Sequence, residues 1–163
     1  MTAMTERSSS ILFVCSENAL RSPMAEALTK HRFGTDIYVD SVGVRDSDLD
    51  PMAIAVMDEI GVDMSRHKSK RLDDLMDTSF ELIVTLSPEA QHKAIELTRV
   101  TASEVEYWPT PDPSVVEGHR DARLAAYRDL RDYLIRRIEN RLGGDGDTGG
   151  DMAADGDSTD PPV

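Results

Sequence analysis

The sequence predicts a three-layer α/β fold built on a parallel sheet, and three observations carry that prediction. Strand-like and helix-like segments alternate from Ser10 to Leu142. The first strand-like run, Ile11-Leu12-Phe13-Val14, is apolar at every position, as in a strand buried on both faces. The chain has 163 residues, which suits one domain around a single core.

The elements follow in order. Ser22-Pro23 opens a helix that runs to about Phe33, with Ser22 as N-cap, Pro23 at the first helical position and Glu26 in the first turn. Gly34 breaks the pattern, and Ile37 to Val42 reads as a second strand. Pro51 to Ile60 places Met52, Ala55, Val56 and Ile60 at helical spacing and stops at Gly61. Arg71 to Met76 reads as a short helix with Leu72, Leu75 and Met76 inward. Phe80 to Leu86 is a third strand, and Ser87-Pro88-Glu89 starts a helix to about Leu97. Glu104 to Trp108 is a fourth strand, with Trp108 in the core at its end. From Asp121 a long helix lines up Leu124, Tyr127, Leu130, Leu134, Ile138 and Leu142 on one face. No segment repeats.

The ends differ from this body. Residues 1–9 read as a flexible polar lead-in, and residues 10–142 as the domain. Residues 143–163 read as a disordered tail that holds Asp145, Asp147, Asp151, Asp155, Asp157 and Asp160 but neither Lys nor Arg. The whole chain carries 31 acidic and 18 basic residues, a formal charge of −13, so a basic nucleic-acid footprint is missing. No apolar run has the length of a membrane span, and no N-terminal stretch has the pattern of a signal peptide. The single cysteine excludes a disulfide within the chain and points to the reducing cytoplasm. His31, His67, His92 and His119 are too dispersed for a metal motif, so no metal is expected. Arg66, Lys68, Lys70 and Arg71 read as a solvated basic face, and His67 as structural.

Chemistry concentrates between the first strand and the first helix. Cys15 stands at the strand end and Arg21 just before the helix start. Thiols facing a helix N-terminus ionise readily, because backbone N–H groups and the helix dipole favour negative charge. The same N–H groups suit a tetrahedral oxyanion, and the planar fork of Arg21 suits two of its oxygens. Asn18, in mid-loop, tolerates the left-handed backbone that a ring of inward N–H groups needs. Asp112 lies in Pro109-Thr-Pro-Asp-Pro113, a rigid turn after the last strand, at the sheet end where sites of parallel folds form.

Cys15, five residues, then Arg21-Ser22-Pro23-Met24-Ala25-Glu26 resembles the phosphate-binding loop of the low-molecular-weight protein tyrosine phosphatase superfamily. That superfamily includes a branch of arsenate reductases. Ser41-Val42-Gly43, the run Gly61-Val-Asp-Met-Ser-Arg-His67 and Asp112-Pro113 extend the resemblance over about residues 10–142. It implies a four-stranded parallel sheet with helices on both faces. It further implies hydrolysis of phosphate monoesters or phosphotyrosine proteins through a phosphocysteine, with no cofactor. Cys15 is then the nucleophile and Arg21 the clamp. Ser16, Glu17, Asn18, Ala19, Leu20 and Ser22 form the phosphate-binding loop, with the Ser22 hydroxyl toward the thiolate. Asp112 is the general acid.

The sequence departs from the pattern at three places. Glu17 and Leu20 stand where many of the phosphatases have Gly and a second Cys. Ser114, Val115 and Val116 follow Asp-Pro where tyrosine-directed members often carry aromatics. Trp108, the Asp-Pro and the following Val-Glu-Gly resemble the reductase branch, yet Leu86 to Tyr107 holds no cysteine for a thiol relay. Two other readings therefore accompany the phosphatase. One is an arsenate reductase served by an external small-molecule thiol, and the other is a non-catalytic oxyanion-binding module in which Glu17 spoils turnover.

Overall fold

The structure, a computed structural model, describes residues 9–76 and 79–143; most of the expected lead-in and nearly all of the acidic tail lie outside the described residues. Strands β1 (Ser10–Cys15), β2 (Tyr38–Gly43), β3 (Leu82–Thr85) and β4 (Glu104–Tyr107) form one sheet in the order β2-β1-β3-β4. Every neighbouring pair is parallel. Helices α1 (Arg21–Phe33), α2 (Pro51–Asp58), α3 (Pro88–Leu97) and α4 (Arg120–Ile138) cover both faces. The expected three-layer α/β fold is the fold observed.

The continuous apolar run of β1 is explained by its two buried faces. Ile11, Phe13 and Cys15 pack with residues of α1, α2 and α4, whereas Leu12 and Val14 pack with Val42, Ile83, Phe80 and the α3 residues Ala90 and Ala94. The alternation is the period of a strand, applied to a strand with no wet side. All six residues expected on one face of the last helix are buried, Leu124 to Ile138 on α4 and Leu142 in the π-helical turn Glu139–Gly143 that follows it. Trp108 is buried and meets Phe13 edge to face, with ring centroids 5.9 Å apart. Asp50 caps α2 by accepting from Met52 N–H, and Ser87 caps α3 by accepting from Ala90 N–H. No helix among the described residues is long and apolar enough to cross a membrane.

Two local expectations fail. Met76 is 96% exposed, because the segment makes only a single 3-10 turn, Leu72–Asp74, and that turn buries Leu72 alone. The α2 helix stops at Asp58 and leaves Ile60 exposed; its buried residues are Ala53, Val56 and Met57. Gly61, at φ 79°, turns the chain so that Val62 N–H returns to the Met57 carbonyl, and Val62 fills the place expected for Ile60.

The sheet order sets where a ligand is received. From β1 the chain crosses to one neighbour, β2, and then returns to the other side for β3 and β4. The C-terminal end of β1 is thus a switch point, where loops part and leave a crevice. Gly43, at the end of β2, is paired with Cys15 at the mouth of that crevice. A Cβ on Gly43 would stand 2.6 Å from Asn18 N and 2.6 Å from the Glu17 carbonyl carbon. Both are backbone atoms, so the loop would have to move. Gly43→Ala is expected to cost about 1–3 kcal/mol of stability and to weaken phosphate binding, measured by thermal denaturation and titration calorimetry.

Candidate active site

The loop after β1 closes around a single sulfur. Cys15, the last residue of β1, is 2% exposed. Asn18 takes φ 55°, the left-handed backbone expected of it, and thereby aims its N–H at Cys15 Sγ, 3.2 Å away. Ser22 Oγ lies 2.9 Å from the same sulfur.

Ser22 and Pro23 do not stand where the sequence placed them. The helix begins at Arg21, so Ser22 is its second residue, Pro23 its third, and Glu26 lies beyond the first turn. The N-cap position falls to Leu20, which makes no side-chain cap, and the Ser22 hydroxyl is engaged by Cys15 and the Val42 carbonyl instead. Pro23 is still tolerated there, since N–H groups of a first turn have no intrahelical partner. A helix start with no side-chain cap leaves its N–H groups free for an anion.

Asn18 holds the loop through its side chain. Its Oδ1 accepts from the backbone N–H of Lys70 at 2.9 Å, and a backbone N–H can only donate, so the amide orientation is fixed. Nδ2 must then donate to Ser22 Oγ at 2.8 Å and to Ser41 Oγ at 3.1 Å. The Ser41 hydroxyl therefore donates to Glu26 Oε1 at 2.6 Å, and the Ser22 hydroxyl hydrogen is left for the sulfur or for the Val42 carbonyl. His67 Nε2, 2.9 Å from Asn18 Oδ1, is likewise compelled to donate. Burial holds the His67 imidazole below the usual histidine range, and the Glu26 carboxylate, 3.6 Å from Nδ1, opposes that effect.

The crevice above the sulfur is a cavity of about 180 Å³ lined by Cys15, Ser16, Glu17, Ala19, Leu20, Arg21, Arg45, Asp112 and Ser114. Arg21 Nη1 donates to the Thr110 carbonyl at 2.8 Å, and its Nη2 stands 4.0 Å from Asp112 Oδ2. The turn after β4 thus delivers Asp112 to the arginine that ends the Cys15 loop. Glu17 is half-exposed at the rim beside Arg45, at 3.9 Å, and Arg45 also binds Glu89. Ala19 and Leu20 line the cavity and are buried. The structure brings the nine sequence-derived candidates together at one end of the sheet. It leaves His31, His92 and His119 exposed elsewhere, and Lys70 paired with Asp40.

Three groups of this site escaped sequence reading: the carboxylate of Glu26, the hydroxyl of Ser41 and the Arg45–Glu89 pair. Ser41 and His67 fall within motifs, but nothing in the residue order shows that they meet through Asn18. Among the described residues no cluster of His, Cys, Asp and Glu could hold a metal ion. The arrangement can bind a tetrahedral oxyanion against a sulfur nucleophile, with a carboxylate on the far side of it.

Comparisons with known proteins agree with this geometry. Residues 10–140 match the family model described as low molecular weight phosphotyrosine protein phosphatase. Over 131 residues the chain is 33% identical to the arsenate reductase of Halalkalibacterium halodurans, spanning 79% of this chain and 91% of that protein. An arsenate reductase solved in its oxidised state superposes with a TM-score of 0.69 at 28% identity, over 83% of this chain and 97% of that one. The YwlE arginine phosphatase, solved as a mutant with a phosphorylated active-site serine, superposes with a TM-score of 0.63 at 25% identity, over 78% and 89%.

The His67 environment generates a signed prediction. Its protonation, followed by NMR, should fall below the usual value of about 6.5, and Glu26→Gln should lower it further by removing the opposing charge. Because the folded value is depressed, the neutral ring's share of stability is whole above about pH 6.5 and is lost as pH falls through the folded value. A rise in the His67 value on Glu26→Gln would show that the carboxylate does not face the ring.

Proposed function

We propose that this chain, which belongs to the low molecular weight phosphotyrosine protein phosphatase family, hydrolyses phosphate monoesters of the phosphotyrosine kind through a phosphocysteine intermediate. The observation that carries this reading is the convergence of Cys15, Arg21 and Asp112 on one oxyanion-sized cavity. Cys15 Sγ attacks phosphorus while the phosphorus–oxygen bond to the alcohol breaks. The N–H groups of the Ser16–Arg21 loop and the Arg21 guanidinium hold the equatorial oxygens. Asp112 gives its proton to the leaving oxygen. Water then attacks the phosphocysteine, Asp112 takes up a proton, and inorganic phosphate and the Cys15 thiolate are released. Every group required is a side chain or backbone atom of this chain, so the reading calls for no cofactor. It places the enzyme in the cytoplasm, where a lone thiol stays reduced.

The naming of the curated relatives favours a second reading, arsenate reduction. Arsenate presents the same tetrahedral oxyanion, and Cys15 would displace one of its oxygens as water. Reduction to arsenite then oxidises two thiols to a disulfide. This chain has one cysteine, so the second thiol must come from outside, as with glutathione or mycothiol. The binding-module reading is weakened by Glu17, whose side chain lies at the rim beside Arg45 rather than in the loop's interior.

The expected result is hydrolysis of para-nitrophenyl phosphate with no added thiol, and slow or absent arsenate reduction with glutathione or mycothiol and their redox partner proteins. Efficient thiol-dependent arsenate turnover with negligible ester hydrolysis would establish the reductase; phosphate binding with neither reaction would establish the binding module. Cys15→Ser should abolish turnover while phosphate still binds. Asp112→Asn should slow cleavage of esters with poor leaving groups by about 10²–10⁴-fold and spare activated esters, read in single-turnover experiments.

A further inference from the structure

We propose that Ser114 is a positioning residue for Asp112: it holds one carboxylate oxygen so that the other alone exchanges the proton with the leaving group and with water. This rests on the hydrolytic reading above and extends it beyond the Cys15 loop. Asp112 occupies the N-cap of the 3-10 turn Pro113–Val115. Its Oδ1 accepts the backbone N–H of Ser114 at 2.9 Å and the Ser114 hydroxyl at 2.6 Å. A carboxylate oxygen offers two lone pairs, so Oδ1 is saturated by one neighbour. Oδ2 is the oxygen that faces Arg21, at 4.0 Å. Asp112 and Ser114 both line the cavity.

The division between the two oxygens matters because a free Asp side chain is not oriented. Pro111 and Pro113 stiffen the backbone on either side of Asp112, but proline leaves the side-chain torsions of its neighbour open. The side chain is about one-third exposed, so packing does not choose its rotamer. The backbone N–H of residue 114 would donate to the Asp112 cap whatever its side chain. The hydroxyl is the addition, and its two-point grip with the N–H on one oxygen makes Oδ1 and Oδ2 inequivalent. Ser114 has one hydroxyl hydrogen, and it is committed to Asp112. A proton carried by Oδ2 therefore has a fixed starting position, which is the condition for efficient transfer in the cleavage step.

The test compares Ser114→Ala, Ser114→Thr, Asp112→Asn and the Ser114→Ala/Asp112→Asn pair. Phenyl phosphate, with a poor leaving group, and 2,4-dinitrophenyl phosphate, with a very good one, are followed in single turnovers. Ser114 is exposed, and unchanged melting curves should accompany its variants. Ser114→Ala is expected to slow phenyl phosphate cleavage about three- to tenfold and to leave the dinitrophenyl ester unchanged. Ser114→Thr, which keeps the hydroxyl, should restore the rate. In the Asp112→Asn background the removal of Ser114 should have no further effect, because the group it positions no longer carries the proton. No loss, an equal loss on both esters, or a loss that persists in the Asp112→Asn background would overturn the proposal. Should Asp112→Asn itself fail to discriminate the esters, the acid assignment falls first and the proposal with it; an intact Asp112 effect with an indifferent Ser114 refutes the proposal alone.

Discussion

The left-handed backbone at Asn18 is the constraint on which the site depends. A non-glycine residue at φ 55° is disfavoured, and Asn is among the few that adopt it at small cost. Glycine would supply the torsion without penalty, but it would supply none of the bonds. The fully buried Asn18 side chain makes hydrogen bonds to Ser22, Ser41, His67 and Lys70, each worth about 1 kcal/mol net and more if left unmade. Those bonds hold the turn that points the Asn18 N–H at sulfur. They also fix the orientation of the Asn18 amide and the direction of the hydrogen bond from Asn18 to Ser41. The loop is thus pinned from behind by side chains, leaving its front open to an anion.

The fold was legible where periodicity decides. The inner face of α4 recurs at three- and four-residue spacing, and β1 is apolar throughout; both were read correctly because burial leaves no freedom in residue type. Short elements were less legible. Two-residue shifts at the end of α2 and the single turn at Leu72 depend on a glycine torsion and on neighbouring packing, which residue order does not report. At the site, residues whose chemistry is local, Cys15, Asn18, Arg21 and Asp112, could be proposed from spacing and turn type. Glu26, Ser41 and Arg45 could not, since their partners come from distant segments. The misplacement of the helix start is instructive. Ser22 has the composition of a cap, but a nearer claimant, the sulfur of Cys15, takes its hydroxyl.

An anion site in a chain of net charge −13 follows from distance. Charges separated by more than a Debye length, about 8 Å at physiological ionic strength, are largely screened in water. The surface carboxylates act mostly beyond that range, whereas Arg21 and the uncapped start of α1 act at contact in a partly buried crevice. Glu17 and Asp112 are the exceptions, because both line the cavity itself. Arg45 stands between Glu17 and Glu89, and these groups sum to one negative charge at the rim. Extended acidity and local cation therefore serve different ranges without contradiction.

The same geometry weighs the second half of either reaction. In either proposed reaction the intermediate would be held on a sulfur that is 2% exposed, in a cavity of about 180 Å³. Hydrolysis of a phosphocysteine asks only that water reach phosphorus beside a carboxylate, and on the proposed reading Asp112, which lines the cavity, is that carboxylate. Reduction of an arsenic adduct asks that a foreign thiol enter the same cavity and reach the adduct, at arsenic or at the Cys15 sulfur. In a chain with one cysteine that thiol gains nothing from intramolecular proximity, an advantage worth about 7–11 kcal/mol in well-oriented systems. At the sulfur it would also meet the Asn18 N–H and the Ser22 hydroxyl that enclose it. Water meets neither obstacle. On the proposed reading, the enclosure of the Cys15 sulfur is the feature that favours hydrolysis as the way out.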